Sequence, residues 1–183
     1  MALTDKQQNV RNGALVAAII TLLVVILGSL WNPFHFAADL GIAERLAVAL
    51  KAALLPAAAL AFAIGRLANH RFASPDDIDA AAGPASSDRA RLLQAEVQNT
   101  LEQTVLAAIA YAAWAAVMPS TWLSATLCAA IAFIVGRVAF FFGYDRGAAA
   151  RSFGFGVTFY PTVFLLVLLV LRIGEALVTP AAH

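Results

Sequence analysis

The sequence predicts an all-α integral membrane protein, a bundle of five spanning helices within 183 residues. Three observations carry that expectation. Hydrophobic residues make up 62% of the chain and charged residues 13%, with a mean hydropathy of +0.81, whereas a soluble domain is about half apolar and about a quarter charged. The apolar residues gather into five runs, each close to the roughly 20 residues that a spanning helix needs. No alternating strand pattern and no fixed-period repeat interrupts them.

Each run has a reason to begin and end where it does. Residues 1–11 are polar, with Lys6 and Arg11, and the run at 13–31 carries no charge. It closes at Trp31-Asn32-Pro33, a tryptophan suited to the interfacial belt followed by a helix stop. A small-residue cleavage site is lacking and the run is long enough to stay as a span, so it does not read as a secretion signal. Residues 32–44 are too short and mixed to cross and read as an interfacial connection. His35, between Phe34 and Phe36, has no second metal ligand in reach.

The second run, 45–66, holds Lys51 near one end, where it can snorkel, and Pro56, which a membrane helix tolerates when neighbours re-satisfy the freed carbonyl. Residues 67–91 form a polar loop with turn signals at Ser74-Pro75 and Gly83-Pro84, and Ser86, Ser87 or Asp88 caps the next helix. That helix, 89–118, meets the fourth, 122–142, through Pro119-Ser120-Thr121, a link short enough to predict antiparallel neighbours. Residues 143–153 read as a charged connection, and the last run, 154–178, has Pro161 near its start and Arg172 and Glu175 near its end. Cys128 is the single cysteine, which excludes an intrachain disulfide and a cysteine-rich metal site, so no metal is expected.

The net charge of +1 hides an uneven distribution. With the N-terminus in the cytoplasm, Lys6, Arg11, Arg66, Arg71, Arg89, Arg91, Arg137, Arg146 and Arg151 fall on the cytoplasmic side. Only Arg45, Lys51 and Arg172 of the twelve lysines and arginines remain on the other, so the positive-inside rule puts the C-terminus there. The alanine-rich composition points to a bacterial inner membrane.

The oddest stretch is 94–103, which opens the third helix with two carboxylates, three glutamines and an asparagine. Polar side chains at membrane depth are costly and normally face protein or a wet cavity. Asn99, Glu102 and Gln103 stand at i, i+3 and i+4, which predicts a shared polar face. The topology brings that face to the same surface as Arg137, Tyr144 and Arg151. Cations, a carboxylate, amides and a phenol around one cleft suit a polar, partly anionic small molecule, and an arginine beside a thiol raises its thiolate fraction. The same residues are also accounted for as positive-inside arginines and an interhelical polar seam with no ligand.

Asn99-Thr100-Leu101-Glu102 resembles the Asn-x-x-Glu motif of the MAPEG superfamily, the membrane-associated proteins in eicosanoid and glutathione metabolism. The string from Gly136 to Tyr144, with Arg151 seven residues on, is similar to that family's second block. The resemblance covers residues 45–178. It implies a four-helix unit at 45–183 with the 67–91 loop on the cytoplasmic face, preceded at 1–44 by a tail, an extra spanning helix and a connection. It further implies a homotrimer that binds glutathione as co-substrate between subunits. Arg151 would stabilise the thiolate; Asn99, Glu102 and Tyr144 would contact glutathione, with Arg137, Gln103 and Arg91 as further contacts. Two positions depart from the pattern: Ala95 stands where family enzymes commonly have arginine, and Phe140 where they often have tyrosine.

The function so implied is a glutathione-dependent transferase or peroxidase acting on a lipophilic small molecule that enters from membrane lipid. The alternative is a non-catalytic trimer of the same fold that binds a lipid or metabolite. A transporter is less well supported, because no inverted repeat is visible and the polar residues cluster at one face. No basic patch interleaved with aromatics suggests a nucleic-acid partner.

Overall fold

The computed structural model describes residues 3–79 and 87–178. Five helices follow one another: α1 Asp5–Trp31, α2 Ile42–Ala73, α3 Asp88–Val117, α4 Ser124–Tyr144 and α5 Ala148–Val178, with a 3₁₀ turn at Ser120–Leu123. All five are long and apolar enough to cross a membrane, and no strand occurs among the described residues. Successive helices run in opposite directions through the bilayer. The start of α1, the α2–α3 loop and the α4–α5 turn therefore share one end, which holds most of the arginines.

Several helices outrun the limits drawn from hydropathy, because a helix does not stop where the bilayer does. The polar prefix belongs to α1: Thr4 caps it by accepting from the Gln7 amide at 3.3 Å, while Gln7 Oε1 accepts from the Thr4 amide at 2.9 Å. This reciprocal box satisfies two otherwise unpaired donors. The 67–91 loop is shorter than its polarity suggests, since α2 continues to Ala73. Beyond it, buried Asp77 accepts from the Ser74 hydroxyl at 3.1 Å, the Ser87 hydroxyl at 2.6 Å and the Ser87 amide at 3.0 Å, and meets His70 Nε2 at 3.0 Å. One carboxylate thus ties the end of α2 to Ser87, the residue that caps α3 through the Ala90 amide at 3.1 Å. Gly83, Pro84 and Ser86 lie outside the described residues. The 143–153 connection shrinks to 145–147, because Ala148, Ala149 and Ala150 favour helix and Gly147, at φ 90°, makes the turn.

α2 packs chiefly on α3, and α4 on α5. α3 and α4 touch little despite their short link, contrary to the expectation from loop length. Pro119 and the 3₁₀ turn carry the chain sideways, and small-residue seams then decide the partners. In α2 the buried stripe is Ala49, Ala52, Pro56, Ala59 and Ala63. A Cβ added at Gly154 would stand 2.8 Å from both the Ala139 carbonyl carbon and the Gly136 carbonyl oxygen, so α4 and α5 cross backbone to backbone. Such small-residue contacts drive helix association in lipid. Gly154→Val is expected to cost about 2 kcal/mol or more through overpacking, read as a lowered midpoint when the protein in mild detergent is unfolded with sodium dodecyl sulfate.

α1 lies against α5 and α4 and makes few contacts with α2 or α3. Its buried positions, Ala17, Thr21, Val25, Gly28 and Ser29, recur at helical spacing, and beyond its polar first turns the rest of its surface is apolar and open to lipid. At its far end the Ser124 hydroxyl donates to Asn32 Oδ1 at 2.7 Å and accepts from the Phe34 amide at 3.3 Å.

Candidate functional site

At the arginine-rich end, α1, α3, α4 and α5 line a half-open cavity of about 430 Å³. α3 contributes Asn99, α4 contributes Phe140 and Tyr144, and α5 contributes Arg151, Ser152 and Phe155. α1 closes one side with Val10 and Ala14. The lining mixes polar groups, the Asn99 amide, the Tyr144 and Tyr160 phenols, the Ser152 hydroxyl and the Arg151 guanidinium, with the rings of Phe140 and Phe155 and the small aliphatic side chains of Val10, Ala14 and Ala148.

The polar groups are held by stacking and by one buried cation. The Arg151 guanidinium lies 4.6 Å from the Tyr144 ring centroid, and the Tyr144 ring stands edge-on to Phe140 at 5.0 Å. Behind them Arg137, only 1% exposed, donates to Asn99 Oδ1 at 2.8 Å and to Thr100 Oγ1 at 3.4 Å. Its guanidinium also sits 4.6 Å from the Phe140 ring and 5.5 Å from the Phe133 ring. Its Nε and Nη2 are buried without a hydrogen-bond partner among the described residues. No carboxylate there pairs with Arg137 or Arg151. Among the described residues, then, one half-buried guanidinium lines the cavity and one buried guanidinium stands behind Asn99, neither with a carboxylate partner, and the buried charge is the costlier of the two.

The three polar residues expected on one face of α3 diverge. A helix advances about 100° per residue, so positions three and four beyond Asn99 lie at about −60° and +40° from it. Asn99 faces the cavity, and Gln103 turns into the bundle with its Oε1 buried and unpartnered. Glu102 is exposed on the outer surface, where it accepts from Gln98 Nε2 at 2.9 Å. Arg91 is exposed and pairs with Asp88 within α3, away from the cavity lining.

The carboxylate that α3 does bury is Glu96, 1% exposed, paired with Arg66 of α2 at 2.5 Å. Arg66 in turn lies 5.3 Å from the Phe141 ring and 5.9 Å from that of Phe62. Reading the sequence for charge near the membrane surface missed this pair. Glu96, Thr100, Gln103, Ala107 and Ala110 recur at the spacing of a single inward stripe, and that periodicity was the available signal. The α1 lining, Val10 and Ala14, carries no chemical signal of its own and comes only from the packing.

The sequence model of the MAPEG family matches residues 45–171, which span α2 to most of α5 and leave α1 outside. No curated protein and no solved structure matches the chain.

Proposed function

The chain belongs to the MAPEG family, and on that premise we propose that it is a membrane-bound glutathione-dependent transferase or peroxidase acting on a lipophilic electrophile. One observation carries the proposal: the Arg151 guanidinium lines a cavity that also presents an amide and a phenol, and among the described residues no carboxylate pairs with it or with buried Arg137 behind Asn99. The donor set fits an anionic thiol peptide. Arg137 fixes Asn99 with Oδ1 already engaged, which leaves its amide nitrogen to donate into the cavity. Tyr144 holds Arg151 by ring stacking with the guanidinium edges free to bond. Arg151 would then stabilise a thiolate near neutral pH. When bound, glutathione would supply the sulfur nucleophile: its thiol proton would pass to solvent, the thiolate would add to the aryl carbon, and the halide would then leave with the electron pair.

Glu102 and Gln98 support a homotrimer. They lie exposed about 21 Å or less along α3 from Asp88, at about 1.5 Å per residue. A carboxylate facing lipid near mid-bilayer costs about 3 kcal/mol, which neighbouring copies of the chain would relieve. Glu102 would then reach a ligand lying between subunits. The arginine-rich end would face the cytoplasm, in a bacterial inner membrane.

Calorimetric titration with glutathione, followed by a conjugation assay with a single-ring aryl halide, tests the proposal on protein whose native mass in detergent equals three chains. Saturable binding and turnover are expected; absence of binding refutes the glutathione reading, and a monomeric mass refutes the trimer. A second reading, a non-catalytic lipid- or metabolite-binding trimer, is favoured by Phe140, whose ring lies on Arg137 and offers the cavity no hydroxyl. Binding without turnover would select it.

A further inference from the structure

We infer that α1 is the specificity wall of the site, with Val10 and Ala14 limiting the lipophilic electrophile to one slim enough to lie between α1 and the rings of Phe140 and Phe155. The inference rests on the proposed function, and three observations carry it. First, Val10 and Ala14 stand one helical turn apart and both line the cavity that holds Arg151, Tyr144 and Asn99. Among the described residues they are the only cavity residues from outside the family-matched segment 45–171, so this wall is an addition of the present chain to the four-helix unit.

Second, α1 is seated rather than loosely attached. A Cβ at Gly156 would come 2.6 Å from the Ala17 methyl, and one at Gly28 would come 2.9 Å from the Ala125 Cα. The Asn32–Ser124 hydrogen bond fixes the other end of the helix at 2.7 Å. Packing this close leaves α1 little room to move away from a bulky ligand. Third, the space is small. About 430 Å³ lies near the lower limit of small-molecule sites, which run from about 300 to 1,000 Å³. A thiol peptide beside Arg151 would take part of this volume, and on the inference the remainder next to Val10 and Ala14 favours a single ring or an extended chain over a fused polycyclic.

The test compares a single-ring and a three-ring aryl halide on the full-length protein, with the glutathione dissociation constant measured separately. Ala14→Trp is expected to raise KM for the single-ring substrate at least tenfold while glutathione affinity stays within twofold. Leu15→Trp, which points to lipid at 53% exposure, should change neither. Val10→Ala should raise the kcat/KM ratio of three-ring to single-ring substrate at least threefold, and it remains informative if Ala14→Trp fails to fold. Unchanged substrate ratios in the folded variants would overturn the inference. A photoreactive analogue of the single-ring substrate separates this failure from that of the proposed function. Displaceable labelling of the peptide bearing Ala14 supports the α1 wall even if glutathione does not bind. Labelling confined to other helices, or labelling that no unlabelled analogue displaces, overturns it.

Discussion

Arg151→Ala is expected to cut turnover with an aryl halide about 50-fold near pH 6.5, with a much smaller loss near pH 9. An unperturbed thiol ionises near pH 8.5, and a neighbouring cation lowers that value by about two units. Near pH 6.5 the thiolate fraction is then about one half with the arginine and about one hundredth without it. The sign follows directly. Because a neighbouring arginine would depress the thiol's pKa, its contribution would be largest below the unperturbed value and fade as pH rises through it. Stacked 4.6 Å from Tyr144, the guanidinium has a fixed place at the cavity, and Arg151→Lys should restore part of the rate by keeping the charge while losing the planar stack. The measurement is kcat against pH for the three proteins. Curves that differ only by a constant factor would deny Arg151 a role in ionisation and leave it a binding residue.

The second large effect is on stability. Arg66→Met should destabilise the protein by about 3 kcal/mol, because it strands the Glu96 carboxylate, 1% exposed, without its cation. Met keeps most of the aliphatic stem and loses the guanidinium that lies by Phe62 and Phe141, so the loss belongs to the charged group. Arg66→Met combined with Glu96→Leu should recover most of the stability, since replacing both members of a buried pair by apolar residues is often neutral. Denaturation in detergent, followed by circular dichroism, reads both variants. A double variant as unstable as the single one would show that the pair holds α2 to α3 by more than charge balance.

Much of the fold was legible in the sequence because membrane helices announce themselves by length and composition: the five apolar runs are the five helices. Their ends were less legible. Thr4 capping Gln7, and the alanines before Arg151, extend helix by local hydrogen bonding and propensity, neither of which changes the hydropathy. The cluster of Asn99, Tyr144 and Arg151 at one cavity follows from topology plus spacing, and both are written in the chain. Glu96, which finds Arg66 thirty residues earlier in sequence, depends on which helix α3 chooses as its neighbour. That choice is made by small-residue seams between helices, and a single sequence lists the small residues without pairing them.

The Arg66–Glu96 pair also bears on how the chain enters the bilayer during synthesis. α3 is the least apolar span, with a hydropathy of 1.2 against 2.1 to 2.7 for the other four, and an ionised carboxylate makes it a poor candidate for insertion alone. α2 emerges from the ribosome first and carries the neutralising arginine near the end that joins it to α3. The two segments are thus suited to partition into lipid together, as a preformed hairpin latched by the Asp77 loop. In this protein, assembly order and charge balance are then a single property, and Arg66→Met would lower the yield of correctly inserted chains before it weakened any finished one.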